Sequence, residues 1–308
     1  MKFHKWIRNV KPNNTVRQAA VRSLKARLKA VQHFLPLAAN KAEEDVEYVH
    51  SLRVFTRRAG AAMRMFEKFS PAKRAAWISE QLKRIRNAAG NARDCDVLLQ
   101  RYANDPHISP ASPLLQILRE QRCDAQREIL SVFEESKADD LLDRRIDAFL
   151  RRVKRREGKS SGSKRFGGWA KKKLRRVVKN FFAVVPADPH DLQALHQFRI
   201  AGKKLRYDME LLAGAFPARF RKQLYRQLAE LQEKLGRIND HVVAQCRLRD
   251  WIEASQTGDE NQHLQILVQQ ETAALETALA DFLVWWSPQR VETLRAGFDH
   301  FISPKSGR

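Results

Sequence analysis

The sequence predicts an all-α protein built from two related halves. Apolar residues recur at steps of three and four over most of the chain, as on one face of an amphipathic helix, and no useful alternation predicts a strand. A basic motif also occurs twice, 146 residues apart: His50-x-x-Arg53-x-x-x-Arg57-Arg58 returns as His196-x-x-Arg199-x-x-x-Lys203-Lys204. We therefore predict antiparallel helices packed as two related bundles.

The first half is predicted to contain five helices. An apolar stripe from Val21 to Leu35 indicates the first, and Pro36 is expected to end it. A second helix is predicted over about residues 41–69, with acidic residues 43–45 at its positive start. Ser70-Pro71 predicts the start of a third, which continues to about residue 103 and is followed by a loop over 104–113. Further helices are predicted over about residues 113–135 and 138–156.

The second half repeats this organisation after a segment rich in Gly, Ser and Lys. Residues 10–303 are predicted to form a single domain, composed of a first repeat (10–156), a flexible linker (157–168) and a second repeat (169–303). Helices of the second repeat are predicted over about residues 171–182, 190–216, 217–255, 260–284 and 288–302.

Composition indicates a polyanionic partner and a reducing compartment. The chain has 58 Lys+Arg against 35 Asp+Glu, a formal charge of +23, which favours an anionic ligand such as polyphosphate, nucleic acid or a membrane surface. The three cysteines are isolated, which argues against a disulfide framework. The first ten residues lack the apolar core of a secretory signal, and no apolar run is long enough to span a bilayer, so we expect a cytoplasmic protein.

The repeated motif places cations along one stripe of a helix. At about 100° per residue, His50, Arg53 and Arg57 lie within about 60° of one another, and Arg64 returns to the same stripe. Arg58 stands to one side. The second copy gives the corresponding set, with Lys204 and Arg206 on its flanks: His196, Arg199, Lys203 and Tyr207. Like charges at this spacing destabilise an isolated helix, and a bound anion would compensate for the repulsion.

A second repeated element follows at the same offset and supplies carboxylates. Gly90-x-x-Arg93-Asp94 returns as Gly236-x-x-Asn239-Asp240. We predict that Asp94 pairs with Arg53, and Asp240 with Arg199, to support or orient the motif. The remaining cations of the motif are expected to face a ligand. Each histidine could either fill a packing position or donate a hydrogen bond to phosphate.

Further cations are predicted on the helix after the linker and on its counterpart. Lys171 and Arg175 correspond by the offset to Lys25 and Lys29, and Lys179 lies on the same helix. Arginine binds phosphate oxygens through two parallel hydrogen bonds and lysine acts as a point charge, so the mixture suits a chain of phosphates.

Both motif pairs resemble the hallmark segments of the CHAD family, the conserved histidine α-helical domain. The segments are VHSLRVFTRRAGAAMRMF with LHQFRIAGKKLRYDMELL, and LKRIRNAAGNARDCDVLL with LAELQEKLGRINDHVVA. The resemblance extends from about residue 10 to about residue 300. It implies two four-helix bundles related by a pseudo-twofold axis, a basic cavity between them, binding of inorganic polyphosphate, and association with polyphosphate granules. It also implies that the residues of both H-x-x-R motifs line the anion site. The first copy departs from the second, because Gly60 and Ala61 stand where the second has Arg206 and Tyr207.

Non-catalytic polyphosphate binding is therefore the leading functional hypothesis, with no cofactor and no metal. The first alternative is a nucleic-acid-binding protein, in which Trp285 and Trp286 would stack on bases rather than fill the core. The second is a polyphosphate-acting enzyme, in which His50 and His196 would be the nucleophiles. The acidic residues fall mainly away from the motifs, whereas a phosphatase usually needs clustered carboxylates that hold a metal.

Overall fold

The all-α prediction is confirmed by the fold. A computed structural model describes residues 3–105, 108–109, 112–155, 164–254 and 258–303, and these residues contain helices and no strand. The chain divides into two compact units, unit 1 up to Phe166 and unit 2 from Gly167 onward. Each unit has its own helices and its own copy of the repeated motif. The predicted cavity between the halves stays a prediction.

Unit 1 is built around four helices that contact one another in cyclic order. Its helices are α1 (Val16–Asn40), α2 (Glu47–Met65), α3 (Ala72–Tyr102), α4 (Pro113–Lys137) and α5 (Leu141–Arg155). α1 contacts α2, α2 contacts α3, α3 contacts α4, and α4 contacts α1. α5 lies against α1, α3 and α4. The motif on α2 therefore lies beside the second repeated element on α3.

The first helix is longer than predicted at both ends. It starts with a capping box, in which Gln18 N donates to Thr15 Oγ1 and Thr15 N donates to Gln18 Oε1. The prediction that Pro36 ends the helix was wrong, since α1 continues to Asn40. Pro36 removes one backbone hydrogen bond, and contacts with the rest of unit 1 hold the turn that follows it. Ala38 and Ala39 are buried, and the side-chain amide of Gln126 on α4 donates to both of their carbonyls at 3.0 and 2.7 Å.

The second helix is shorter than predicted because the acidic segment before it forms a turn. Asp45 Oδ1 accepts a hydrogen bond from Glu47 N at 2.8 Å, and Lys41 Nζ pairs with Glu44. α2 thus begins at Glu47. Its buried face carries apolar residues that include Val49, Leu52, Phe55, Ala59 and Met63. His50, Arg53 and Arg57 remain on a half-buried face.

Unit 2 contains the second copy of the motif on α7. Its helices are α6 (Phe166–Phe182), α7 (Leu192–Leu212), α8 (Tyr225–Ala254), α9 (Gly258–Trp285) and α10 (Pro288–Ile302). A π-helical segment, Phe220–Leu224, leads directly into α8, which packs against α7 and α9. The first residue of α6, Phe166, belongs by its contacts to unit 1.

Part of the predicted linker is ordered by unit 1. Residues 157–163 of that linker lie outside the described residues, whereas 164–168 are described. Lys164 O accepts a hydrogen bond from Val16 N at 3.1 Å, and Phe166 N donates to Asn14 O at 2.8 Å. Phe166 is fully buried and starts a helix. Backbone pairing and apolar burial thus hold a stretch whose composition predicted flexibility.

Candidate functional site

Arg53 joins the two repeated elements of unit 1. Its Nη1 donates to Asp94 Oδ1 at 2.6 Å and to the carbonyl of Gly90 at 3.2 Å, both on α3. A single nitrogen makes both contacts, and it has two hydrogens. The opposite edge of the guanidinium, Nη2 and Nε, makes no hydrogen bond to the described residues. Arg53 is thus held on one side and retains donors for an anion on the other.

Unit 2 contains the equivalent ion pair in a looser form. Arg199 Nη2 lies 3.8 Å from Asp240 Oδ1, near the limit for an ion pair. Arg199 is the more buried of the two cations, with 15% of its side chain exposed against 21% for Arg53. Both pairs that the sequence suggested are thus present, one within each unit.

The two histidines of the motif have different neighbours. His196 Nδ1 lies 2.8 Å from Asn239 Oδ1, so a proton on Nδ1 is donated to that amide oxygen. At the position equivalent to Asn239, unit 1 has Arg93. Burial, together with the positive charges of Arg93, Arg53 and Arg57 and against the opposing charge of Glu47, holds the pKa of His50 below its ordinary value. A neutral His50 retains one N–H that can donate to an oxyanion.

A broad depression of about 840 Å³ lies beside Arg53 in unit 1. We call it the arginine cavity, because five of its lining side chains are arginines. Its residues come from α2 (Arg53, Arg57), α3 (Arg84, Arg86, Asn87, Ala88, Gly90, Asn91) and α4 (Arg127, Glu128, Ser131, Val132, Glu135).

Both carboxylates of the arginine cavity connect α3 to α4. Arg84 Nη2 donates to Glu135 Oε2 at 2.6 Å, and Asn91 Nδ2 donates to Glu128 Oε2 at 3.3 Å. These contacts link the helices that form two walls of the cavity. With five arginines against two glutamates, the lining has an excess of positive charge. Several guanidinium groups converging on one open space can bind phosphate oxygens with paired hydrogen bonds.

Other predicted site residues of unit 1 lie outside this lining. Arg58 lies over the ring of Phe55, with its guanidinium carbon 5.2 Å from the ring centre. Arg64 is exposed and extends back over Gly60. Lys29 Nζ pairs with Asp147 Oδ1 of α5 at 3.3 Å, and its role as an anion ligand stays a prediction. Lys25 is exposed on α1.

Unit 2 requires one correction. Tyr207 was predicted on the open stripe, but it is 7% exposed and begins a stretch, 207–213, in which every residue is buried. Arg206 lies over its ring. Arg175 Nη2 donates to the carbonyl of Ile302 at 2.9 Å, at the end of α10, and the role of Arg175 in the anion site stays a prediction. A cation at the carboxyl end of a helix stabilises that end.

The remaining predicted cations of unit 2 are spread over two helices. Lys203 is half-buried and Lys204 is exposed on α7, next to Arg199 along the motif. Lys171 and Lys179 lie on α6, and no ion pair or hydrogen bond between described residues connects them to the motif. The motif residues thus lie together on α7, and the α6 lysines are not bonded to them.

Sequence reasoning missed part of the arginine cavity. Arg84 and Arg86 are visible in the sequence as cations of the third predicted helix, but they lie outside the repeated elements and were not predicted as site residues. Arg127 lies on α4, also outside the repeated elements. Its position follows from the packing of α4 against α3.

Metal and membrane features are absent from the described part of the chain. No three side chains of His, Cys, Asp or Glu there are grouped so that they could hold a metal ion. None of the described helices combines the length and the apolar character that crossing a membrane requires.

Comparison with known proteins identifies similar sequences and folds. Residues 22–249 match the CHAD domain family. Two uncharacterised proteins of Mycobacterium tuberculosis are each 27% identical over 238 residues, which is 74% of this chain and 45% of theirs. The chain thus spans less than half the length of these curated relatives.

Two solved structures share the fold. The crystal structure of the CHAD domain from the plant Ricinus communis aligns with a TM-score of 0.67 and 21% identity, over 97% of this chain and 96% of that one. PptA from Streptomyces chartreusis aligns with a TM-score of 0.53 and 17% identity, over 92% of this chain and 98% of that one.

Proposed function

This chain belongs to the CHAD domain family, and we propose that it binds inorganic polyphosphate without catalysing a reaction on it. The observation that carries the proposal is the arginine cavity next to the motif of unit 1. Five arginines from three helices line one open space of about 840 Å³. This arrangement suits a ligand with many phosphate oxygens.

The way in which Arg53 is held supports binding of an anion. Asp94 and Gly90 fix one nitrogen of the guanidinium, and the opposite edge keeps its donors. Fixing the side chain reduces the conformational entropy that a ligand would otherwise remove. A linear polyanion can contact several such cations at once and release bound counterions, so affinity should fall steeply with salt.

The tryptophans support polyphosphate over nucleic acid. Trp286 stacks on Phe282 and lies 5.5 Å from Phe198, as a residue of an aromatic cluster. Trp285 lies between cationic groups, with Arg290 4.4 Å and Lys234 5.6 Å from its ring. Sequence-tolerant binding of single strands uses exposed aromatic platforms on which bases stack. Here both rings are half-buried and contact other side chains of the protein, which leaves less of each face for stacking.

The test is binding of the full chain to long-chain polyphosphate, with charge reversal at the motif. The variant R57E/R58E/K203E/K204E should lose binding at moderate salt while the helical circular dichroism is retained. A matched control reverses four exposed cations outside the motif and the arginine cavity, as K68E/K83E/K172E/K222E. If the control loses as much affinity as the motif variant, net charge alone explains binding and the proposed site is wrong.

Two further measurements separate the alternatives. Polyphosphate should displace DNA or RNA from the protein efficiently, and displacement in the reverse direction should be poor. Release of phosphate from polyphosphate in the presence of Mg²⁺ or Mn²⁺ would contradict a purely binding role. A fluorescent fusion of the protein should also collect on polyphosphate granules in cells that contain them.

A further inference from the structure

Two helix-interior glycines occupy equivalent positions in the two units. Gly90 lies in α3 and Gly236 in α8, each one turn before the aspartate of the second repeated element. Glycine in a helix interior is less favourable than alanine by about 1 kcal/mol, because it loses more backbone freedom on folding. Each position therefore needs a compensating reason.

Packing explains two other helix glycines of this protein, Gly202 and Gly297. A Cβ at Gly202 would collide with the amide group of Gln232. A Cβ at Gly297 would stand 3.1 Å from Leu224 Cδ1. In both places the absence of a side chain lets a neighbouring helix or segment approach.

Neither packing nor backbone conformation explains Gly90 and Gly236. A Cβ built at either position would have no other heavy atom within 4 Å, apart from its immediate helical surroundings. No glycine among the described residues has a positive φ. Alanine would therefore fit both positions without strain. In each unit the surface above the glycine is open space.

At Gly90 that open space belongs to the arginine cavity. Gly90 lines the cavity together with Arg53, Arg57 and Arg86, and its carbonyl accepts the hydrogen bond from Arg53. A methyl group at this position would project into the arginine cavity, where no heavy atom beyond its immediate helical surroundings lies within 4 Å of it. It would separate an anion from the helix backbone and lengthen its distance to several cations at once.

We infer that a phosphate group of the bound chain lies directly against the helix backbone at Gly90, in van der Waals contact with its Cα. This inference rests on the proposed function and identifies the backbone position that limits how closely the anion approaches the helix. The missing side chain lets the phosphate oxygens reach Arg53, Arg57 and Arg86 together. Gly236 has the same role in unit 2, one turn from Asp240, the partner of Arg199. Coulomb attraction falls with distance, so a closer approach strengthens each contact.

The test substitutes alanine at each glycine in the full chain. Gly90→Ala should raise the thermal midpoint, as a better helix former, and yet weaken polyphosphate binding about tenfold, the change expected when one phosphate contact is lost. Gly236→Ala should act in the same direction. Ser79→Ala is the matched control, because Ser79 is exposed on the same helix as Gly90 and does not line the arginine cavity. It should raise stability and leave affinity unchanged.

The outcomes distinguish this inference from the proposed function. If the wild-type protein does not bind long-chain polyphosphate, the proposed function fails. If the wild type binds and Gly90→Ala binds equally well or better, the inference is overturned while the function stands. A lower thermal midpoint for Gly90→Ala would also overturn it, since the glycine would then be required by the fold.

Discussion

The two copies of the motif share their residue pattern but differ in their contacts. The Arg53–Asp94 pair of unit 1 measures 2.6 Å, and the Arg199–Asp240 pair of unit 2 measures 3.8 Å. In unit 2 the motif histidine is hydrogen-bonded to the side-chain amide of Asn239. Unit 1 has an arginine, Arg93, at the position of that asparagine. Repetition has thus kept the helix-to-helix connection and changed the charge around the imidazole. We expect the two units to contribute unequally to anion binding.

The largest expected effect comes from exchanging the residues that differ, Arg93 and Asn239. Arg93→Asn should weaken polyphosphate binding about tenfold. It should also reduce the slope of log affinity against log salt concentration by about one, as expected for the loss of one phosphate contact. Asn239→Arg should strengthen binding. Fluorescence anisotropy over a range of salt concentrations measures both changes. Equal affinity for wild type and Arg93→Asn would show that this charge does not set the difference between the units.

A smaller effect is expected from the pH dependence of His50. Because burial and Arg93 lower the pKa of folded His50 below 6.5, the unfolded chain binds a proton in this range that the folded chain does not. The contribution of His50 should therefore make the protein less stable as pH falls from above 6.5 towards the lowered pKa. His50→Gln should remove that part of the slope, as measured by denaturant unfolding.

Binding should reverse the shift at His50. A phosphate chain next to the imidazole favours its charged form, so the pKa of His50 should rise on binding and affinity should increase as pH falls. NMR titration of the His50 ring, with and without polyphosphate, measures the two values. His190→Gln, outside the motif, is the control and should leave the His50 titration unchanged. A His50 pKa that does not move on saturation with polyphosphate would contradict contact with the ligand.

The smallest effect is expected from the two ion pairs. Asp94→Asn should lower the free energy of unfolding by about 0.5–1 kcal/mol, the range of partly exposed pairs, and Asp240→Asn by less. Urea denaturation with an unchanged m-value measures the difference. A larger loss for Asp240→Asn would mean that the shorter distance in unit 1 does not reflect a stronger pair.

Local sequence patterns predicted the fold class and the ion pairs between the first and the second repeated element. Helical periodicity predicted an all-α fold, which the structure confirms. The common offset of the motif and the aspartate indicated the Arg53–Asp94 contact, because both residues lie within the repeated unit. Pro36 shows the limit of local signals. Its helix continues to Asn40, and Gln126, far away in the sequence, donates to the carbonyls of the last turn.

The candidate site was predictable where the repeat defines it and not where tertiary packing does. Tyr207 shares the helical stripe of the motif, yet that part of α7 is enclosed on all sides. Arg127 reaches the arginine cavity from α4, outside the repeated elements, so no comparison of the two halves could identify it. The ion pair of Lys29 with Asp147 depends in the same way on how α5 lies against α1.

The amide of Gln126 has a consequence for the residue that follows it. By joining α4 to the last turn of α1, it holds the backbone next to Arg127, which lines the arginine cavity and also pairs with Asp124 on the same helix. The backbone of this wall is thus set by the fold, and a chain of phosphates bound there, as proposed, would have only side chains to order. Fast association with little structural rearrangement is the expected kinetic result.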